Sequence, residues 1–218
     1  MEINKNYLQF TTKCVIIILG DNMINNYCLG LFATDGSLQT YLWKNEDKTT
    51  HTITLEMKDQ QIIEDIAKLF NTGIKYRSRI IADKKRDFYS VFIRSNLYGD
   101  LLVNKPKLFE YFKTLNNQEQ NNFIRGCFDG DGGICNKKPK GYRCYFCANS
   151  KDGLDKIYEY WFEKNNIVYS KYIDKRGATA YNYNVGKQSE VRKMCELLYE
   201  DCDIKLLRKY EKYKEMVS

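Results

Sequence analysis

FIRGCFDGDGGI, residues 123–134, carries an apolar segment straight into two aspartates set among four glycines. Wound at about 100° per residue, Phe123, Ile124, Cys127 and Asp131 share one arc of roughly a third of a helix, so the acid stands at the bottom of the apolar face. The same design occurs 96 residues earlier as YCLGLFATDGSL, residues 27–38. The register holds without a gap, matching Tyr27 to Phe123, Gly30 to Gly126, Phe32 to Phe128, Asp35 to Asp131, Gly36 to Gly132 and Leu38 to Ile134. One short motif is weak information, but two in register describe an internal repeat.

Small residues stand four apart beside that face, Gly126 with Gly130 and Gly30 with Thr34. Glycine inside a helix costs roughly 1 kcal/mol against alanine, and small residues at this spacing let two helix backbones come close. The motif helices are therefore expected to pack on each other through Gly30 and Gly126, bringing Asp35 and Asp131 side by side. Neighbouring carboxylates repel, and a hard divalent cation such as Mg2+ or Mn2+ relieves the repulsion. Paired carboxylates of this kind are a recurrent device for cleaving phosphodiesters. Plain aspartate-glycine turns would explain either motif singly, but not the matched placement of both acids on the apolar arc. A calcium loop starting at Asp129 fails, because Ile134 takes its glycine position and Lys140 its bidentate-glutamate position. The glycines also lack the spacing of dinucleotide or Walker phosphate loops.

The segments after each motif repeat as well. Ser37–Trp43 and His51–Met57 read as strands, after which Ile62, Ile63, Ile66, Leu69 and Phe70 mark a helical face. Lys75–Ala82 and Asp87–Arg94 read as a hairpin across a charged turn at 83–86, ahead of a short helix from about Asn96. In the second half, Gly133–Lys137 and Tyr142–Asn149 are expected to pair across the turn 138–141, where Pro139 and Gly141 suit turn geometry. A helix from about Asp152 carries Leu154, Ile157, Tyr158, Trp161 and Phe162. Val168–Lys175 and Thr179–Val185 form the last hairpin, and Ser189 is the expected cap of a closing helix. Each half thus reads αββαββα, an α+β fold of tandem repeats at 22–115 and 116–218. Residues 1–21 precede the repeat, with Val15–Leu19 as a candidate extra strand.

The 218 residues are 43% apolar, enough to bury a core without disulfide staples. Against 28 Asp and Glu stand 35 Lys and Arg, a net charge of +7 and a pI near 8.8, which favours an anionic partner, nucleic acid first. The apolar stretch Cys14–Leu19 is too short to span a bilayer, so no membrane role is expected. With Glu2 before it and no small-residue cleavage pattern after it, that stretch is not read as a signal peptide, and the expected location is cytoplasmic or organellar rather than secreted. Eight cysteines are then expected as free, mostly buried thiols, and one histidine supplies a zinc site poorly. Cys144 and Cys147, the only CxxC pair, fall on opposite faces of a strand.

The nonapeptides CLGLFATDG, Cys28–Gly36, and IRGCFDGDG, Ile124–Gly132, resemble the LAGLIDADG signature of homing endonucleases, and the matched repeat covers nearly everything from residue 24 to the C-terminus. The resemblance implies a pseudo-twofold with the two motif helices at its centre and two four-stranded antiparallel sheets forming a saddle over the major groove of DNA. It implies that Asp35 and Asp131 bind the catalytic metal, helped by the carbonyls of Thr34 and Gly130, and that a basic residue assists near each site. Lys105 and Lys209 take corresponding positions, 70 and 78 residues after the aspartates. A departure is Ala33, where many members carry an acid as Asp129 does. The implied activity is that of a monomer cutting double-stranded DNA at a long pseudo-palindromic target. An RNA-splicing maturase acting on intron RNA and a non-cleaving DNA-binding protein are the alternatives.

Strand alternation nominates the surface that would meet DNA. If Cys144, Phe146 and Ala148 point to the core, then Arg143, Tyr145, Cys147 and Asn149 point outward. The same reasoning turns Arg77 and Arg79 out of the first half, with Gln39, Tyr41, Lys171, Lys175, Asn182 and Asn184 completing the set. Arginine can read guanine bidentately in the major groove, and Asn or Gln can read adenine.

Overall fold

The computed structural model describes residues 24–43, 48–137, 139, 141–149, 153–174 and 180–218. The 1–21 extension, its candidate strand, Lys175 and the Asn149 side chain lie outside the described residues. Two runs of elements succeed one another in the same order. The first comprises α1 (Asn26–Asp35), β1 (Gly36–Trp43), β2 (Lys48–Met57), α2 (Gln60–Leu69), β3 (Ile74–Ile81), β4 (Lys84–Arg94), α3 (Asn96–Val103) and α4 (Lys105–Thr114). The second comprises α5 (Asn117–Asp131), β5 (Gly133–Asn136), β6 (Tyr142–Asn149), α6 (Leu154–Lys164), β7 (Ser170–Asp174), β8 (Ala180–Val185), α7 (Gln188–Tyr199) and α8 (Leu207–Val217). Each run forms its own four-stranded antiparallel sheet, in the orders β1-β2-β4-β3 and β5-β6-β8-β7.

Three local expectations change. Each repeat ends in a further helix; in the first, Asn104, extended at φ −103° and ψ 91°, stops α3 while its side chain caps α4 just before Pro106. The β3–β4 turn is not 83–86 but the pair Ala82 and Asp83, both with positive φ, and Lys84 to Arg86 join the ladder. Ser189 is the second residue of α7 rather than its cap, a place taken by Lys187 without a side-chain bond.

Alternation along β2 buries His51, Ile53, Leu55 and Met57 against the helices, and β6 does the same with Cys144, Phe146 and Ala148. Helices α2 and α6 cover these faces with Ile62, Ile63 and Ile66 and with Ile157, Trp161 and Phe162. Between the halves run α1, capped by Asn25, and α5, started by a capping box of Asn116 and Glu119. Among the described residues these two helices share the most extensive contact. A Cβ added to Gly30 would lie 2.0 Å from the Phe123 carbonyl oxygen, and one added to Gly126 would lie 2.0 Å from that of Tyr27. Only hydrogen fits at either crossing point, and the reciprocity is the signature of a pseudo-twofold axis. Among the described residues no helix is long and apolar enough to cross a membrane.

Candidate functional site

Asp35 and Asp131 are the last residues of α1 and α5. Behind each, a glycine turns the chain directly into a strand: the Gly36 and Gly132 N–H groups return to the carbonyls of Phe32 and Phe128. A Cβ on Gly36 would meet the Phe32 oxygen at 2.4 Å, and one on Gly132 would meet the Phe128 oxygen at 2.6 Å, so a larger residue would open the turn. The two helix ends lie together. A Cβ on Gly130 would come 2.1 Å from Thr34 Oγ1 and 3.4 Å from Asp35 Oδ2, which places the Asp35 carboxylate beside the residue preceding Asp131. The Thr34 hydroxyl is turned back onto its own helix, donating to the Leu31 and Gly30 carbonyls at 3.0 and 3.3 Å, and leaves the Thr34 carbonyl uninvolved in that bond. Burial holds the Asp35 carboxyl above its ordinary range, against the pull of Lys209 and then Arg208.

Beneath this pair lies a buried polar node. Asp129 is fully buried and accepts from the Tyr199 hydroxyl at 2.6 Å, the Tyr27 hydroxyl at 2.9 Å and the Leu206 N–H at 2.9 Å. It therefore ties α5 to α1, to α7 and to the segment entering α8. Burial raises its carboxyl, while Lys209, Tyr199, Leu206 and Tyr27 all act to keep it ionised. Lys209 is only 2% exposed, and its ammonium caps α5 by donating to the carbonyls of Phe128, Asp129 (2.8 Å), Gly130 (3.5 Å) and Gly132 (2.6 Å). A cation at a helix C-terminus adds a donor to the last-turn carbonyls, Phe128 here sharing its oxygen with the Gly132 N–H, and opposes the helix dipole. Burial brings that ammonium down to about 8, with Asp129 the strongest group opposing the fall. No such cage with the described residues surrounds Lys105, the first residue of α4, whose side-chain stem stands where a Cβ on Gly153 would lie. Sequence reasoning missed Asp129 as an anchor; its signal was an acid off the apolar arc, two residues before Asp131, but its partners come from 70 to 102 residues away.

The sheet faces turned away from the helices carry most of the nominated residues. On the first sheet, register aligns Gln39 and Tyr41 with Thr52 and Thr50, and Arg77 and Arg79 with Phe88 and Arg86, all on the outer face. Lys75 and Arg94 share that face, with the Lys75 ammonium over the Phe92 ring at 4.3 Å. On the second sheet, Arg143, Tyr145, Asn182 and Asn184 line one hollow together with Cys135, Lys137 and Tyr172. Lys171 does not join them. It pairs with the core residue Tyr183 in the ladder, bonds Glu159 of α6 at 2.7 Å and lies over the Tyr181 ring at 4.0 Å, so it faces the helical layer. Tyr172, one residue on, takes the outer position opposite Asn182.

Two crossed motif helices, each ending in an aspartate and followed by a four-stranded antiparallel sheet, define the two-repeat LAGLIDADG homing-endonuclease fold. The particular structures that share it include mesophilic variants of the homing endonuclease I-DmoI, at TM-score 0.55 and 21% identity over 80% of this chain and 94% of that one. I-DmoI in complex with DNA and Mn matches at TM-score 0.54 and 19% identity, over 80% and 95% of the respective chains. The meganuclease I-SmaMI bound to uncleaveable DNA matches at TM-score 0.57 and 14% identity, over 88% and 89%. No protein-family model matches the sequence, and no curated protein matches it by sequence. At these identities the likeness is one of fold.

Proposed function

We propose that this chain is a monomeric, site-specific endonuclease of double-stranded DNA that hydrolyses phosphodiester bonds with a divalent cation, Mg2+ or Mn2+, held by Asp35 and Asp131. The crossing of α1 and α5 carries the proposal, because it sets the Asp35 carboxylate against Gly130, next to Asp131, at the joint between two open sheet faces. Fold neighbours crystallised with DNA and Mn or Ca support it. The donors at the helix ends suit a hard cation: two carboxylates, the main-chain oxygen of Thr34 and that of Gly130, which the Lys209 ammonium reaches only at 3.5 Å. Among the described residues no group of three or more His, Cys, Asp or Glu could hold a metal, so main-chain, water and phosphate oxygens would complete the shell. A divalent cation bound there supplies charge neutralisation at the phosphate and a more acidic attacking water.

The chain's own residues do the rest. Ionised Asp35 and Asp131 would hold the cation, and the positive charge would offset the burial that raises the Asp35 carboxyl. Lys209 supports the site through the main chain, since its ammonium already serves the α5 carbonyls. Lys105, the first residue of α4, is the basic residue proposed to assist at the other half-site. The outer-face residues Gln39, Tyr41, Arg77, Arg79, Arg143, Tyr145, Asn182 and Asn184 would hold the major groove in register over a long, pseudo-palindromic target.

A randomised duplex library incubated with the protein and Mg2+ tests this directly. The cleaved pool should converge on one long site, and Asp131→Asn should lower cutting by at least about a thousandfold while target binding in Ca2+ persists. Undiminished cutting by Asp131→Asn would refute the assignment.

A further inference from the structure

Glu56 stands on the outer face of β2, opposite Ser90, where a carboxylate is unexpected on a surface meant for a polyanion. Two arginines converge on it from the edge strand β3. Arg77 bonds Glu56 Oε2 through Nε at 2.5 Å and pairs with it again through Nη2, while Arg79 Nη2 reaches Oε1 at 2.9 Å. The Arg79 guanidinium also lies 5.0 Å from the centre of the Phe88 ring, held between an aromatic face and a carboxylate. Exposure separates the partners: the Glu56 side chain is 20% accessible, whereas Arg77 and Arg79 are 58% and 41% accessible. The acid is therefore shielded beneath the two forks rather than presented to a ligand. Each guanidinium has five N–H donors, and these bonds leave both with enough free for a bidentate contact to guanine.

We propose that Glu56 is a specificity-determining residue, fixing the Arg77 and Arg79 forks for base reading and withholding them from indiscriminate phosphate contact. The proposal rests on the DNA-cleaving function above and concerns how the first half-site is chosen. An arginine free to swing gains phosphate contacts on any sequence, whereas one locked in a plane gains only where the base edges match. Locking also removes beforehand an ordering cost that would otherwise weaken the correct complex.

Two variants separate geometry from bulk charge. Binding in Ca2+ is measured for the duplex that the wild-type protein enriches from a randomised library and for a random-sequence duplex of equal length. Glu56→Gln should tighten random-sequence binding and steepen its salt dependence by up to about one unit of slope. The ratio of enriched to random affinity should fall by about tenfold. Glu56→Asp keeps the charge but is one methylene too short to span both forks, so it should also lose discrimination and tighten random-sequence binding, though less than Glu56→Gln does because its carboxylate still repels phosphate. Glu110→Gln, on the far side in α4, controls for net charge. If Glu56→Asp keeps the wild-type ratio, or Glu56→Gln merely shifts both affinities in parallel as Glu110→Gln does, the proposal is overturned. Should the wild-type protein enrich no sequence at all, the DNA-cleaving assignment itself fails and this proposal falls with it.

Discussion

Substituting Gly126 by alanine probes the crossing on which the site depends. The added Cβ would sit 2.0 Å from the Tyr27 carbonyl oxygen, 2.8 Å from the Leu31 nitrogen and 3.0 Å from the Tyr27 carbonyl carbon. All three are main-chain atoms, so no side chain can swing aside. A carbon-to-oxygen contact settles near about 3.3 Å, so α1 and α5 must separate by roughly 1.3 Å at that point. Over-packing of this kind costs about 1–3 kcal/mol, with main-chain opposition placing it toward the upper end, and the helix preference of alanine over glycine returns about 1 kcal/mol. The net loss is about 2 kcal/mol, or some 4–8 °C in Tm for a chain of this size. The same separation moves Asp35 away from Gly130 and Asp131, and a misplacement near 1 Å can lower the chemical rate by about a hundredfold. Denaturant unfolding and single-turnover cleavage measure the two losses, with Gly73→Ala as control, since nothing lies within 4 Å of a Cβ there. A Gly126→Ala protein within about 0.5 kcal/mol of wild type and cutting at its rate would refute the close-crossing argument.

Burial leads to two further outcomes. Because the folded protein raises the Asp35 pKa, stability present at low pH is lost as pH rises through that folded value, so ionised Asp35 costs stability at neutral pH. Asp35→Asn should therefore raise Tm at pH 7 in EDTA, with the advantage vanishing below about pH 4 and reversing when Mg2+ stabilises only the wild type; an equal Tm at both pH values would contradict the sign. Cysteine labelling offers a footprint of the outer face. Cys28, Cys127 and Cys144 are buried with thiols pushed up by their surroundings and should stay unlabelled in the native protein, while half-buried Cys135, in the hollow beside Arg143 and Tyr145, should label. Enriched duplex should slow labelling of Cys135, and an unchanged rate would place DNA elsewhere.

The two motif copies in gapless register 96 residues apart, the apolar arcs ending at Asp35 and Asp131, and the alternation along β2 and β6 were legible by inspection. Each rests on a short-range period, of helix or strand, that one segment displays by itself. Elsewhere local pattern was insufficient. In Ser170–Asp174 the neighbours Lys171, Tyr172 and Ile173 suit either face, and only pairing with β8 assigns Lys171 to the helical side and Tyr172 to the outer one. The charged run at 83–86 reads as a turn, yet two positive-φ residues complete it and the lysines extend the strand.

By itself, then, the chain determined two copies of one unit, the faces each unit must bury, and the pair of acids that close the motif helices. Tertiary structure alone decided that Lys209 leaves a basic helix to cap α5, that Asp129 gathers Tyr27, Tyr199 and Leu206, and that Glu56 collects Arg77 and Arg79. Periodicity reports which way a side chain points from its own backbone; charges and hydrogen-bond donors choose partners by distance in space, and the crossing of two glycine-notched helices is what sets those distances.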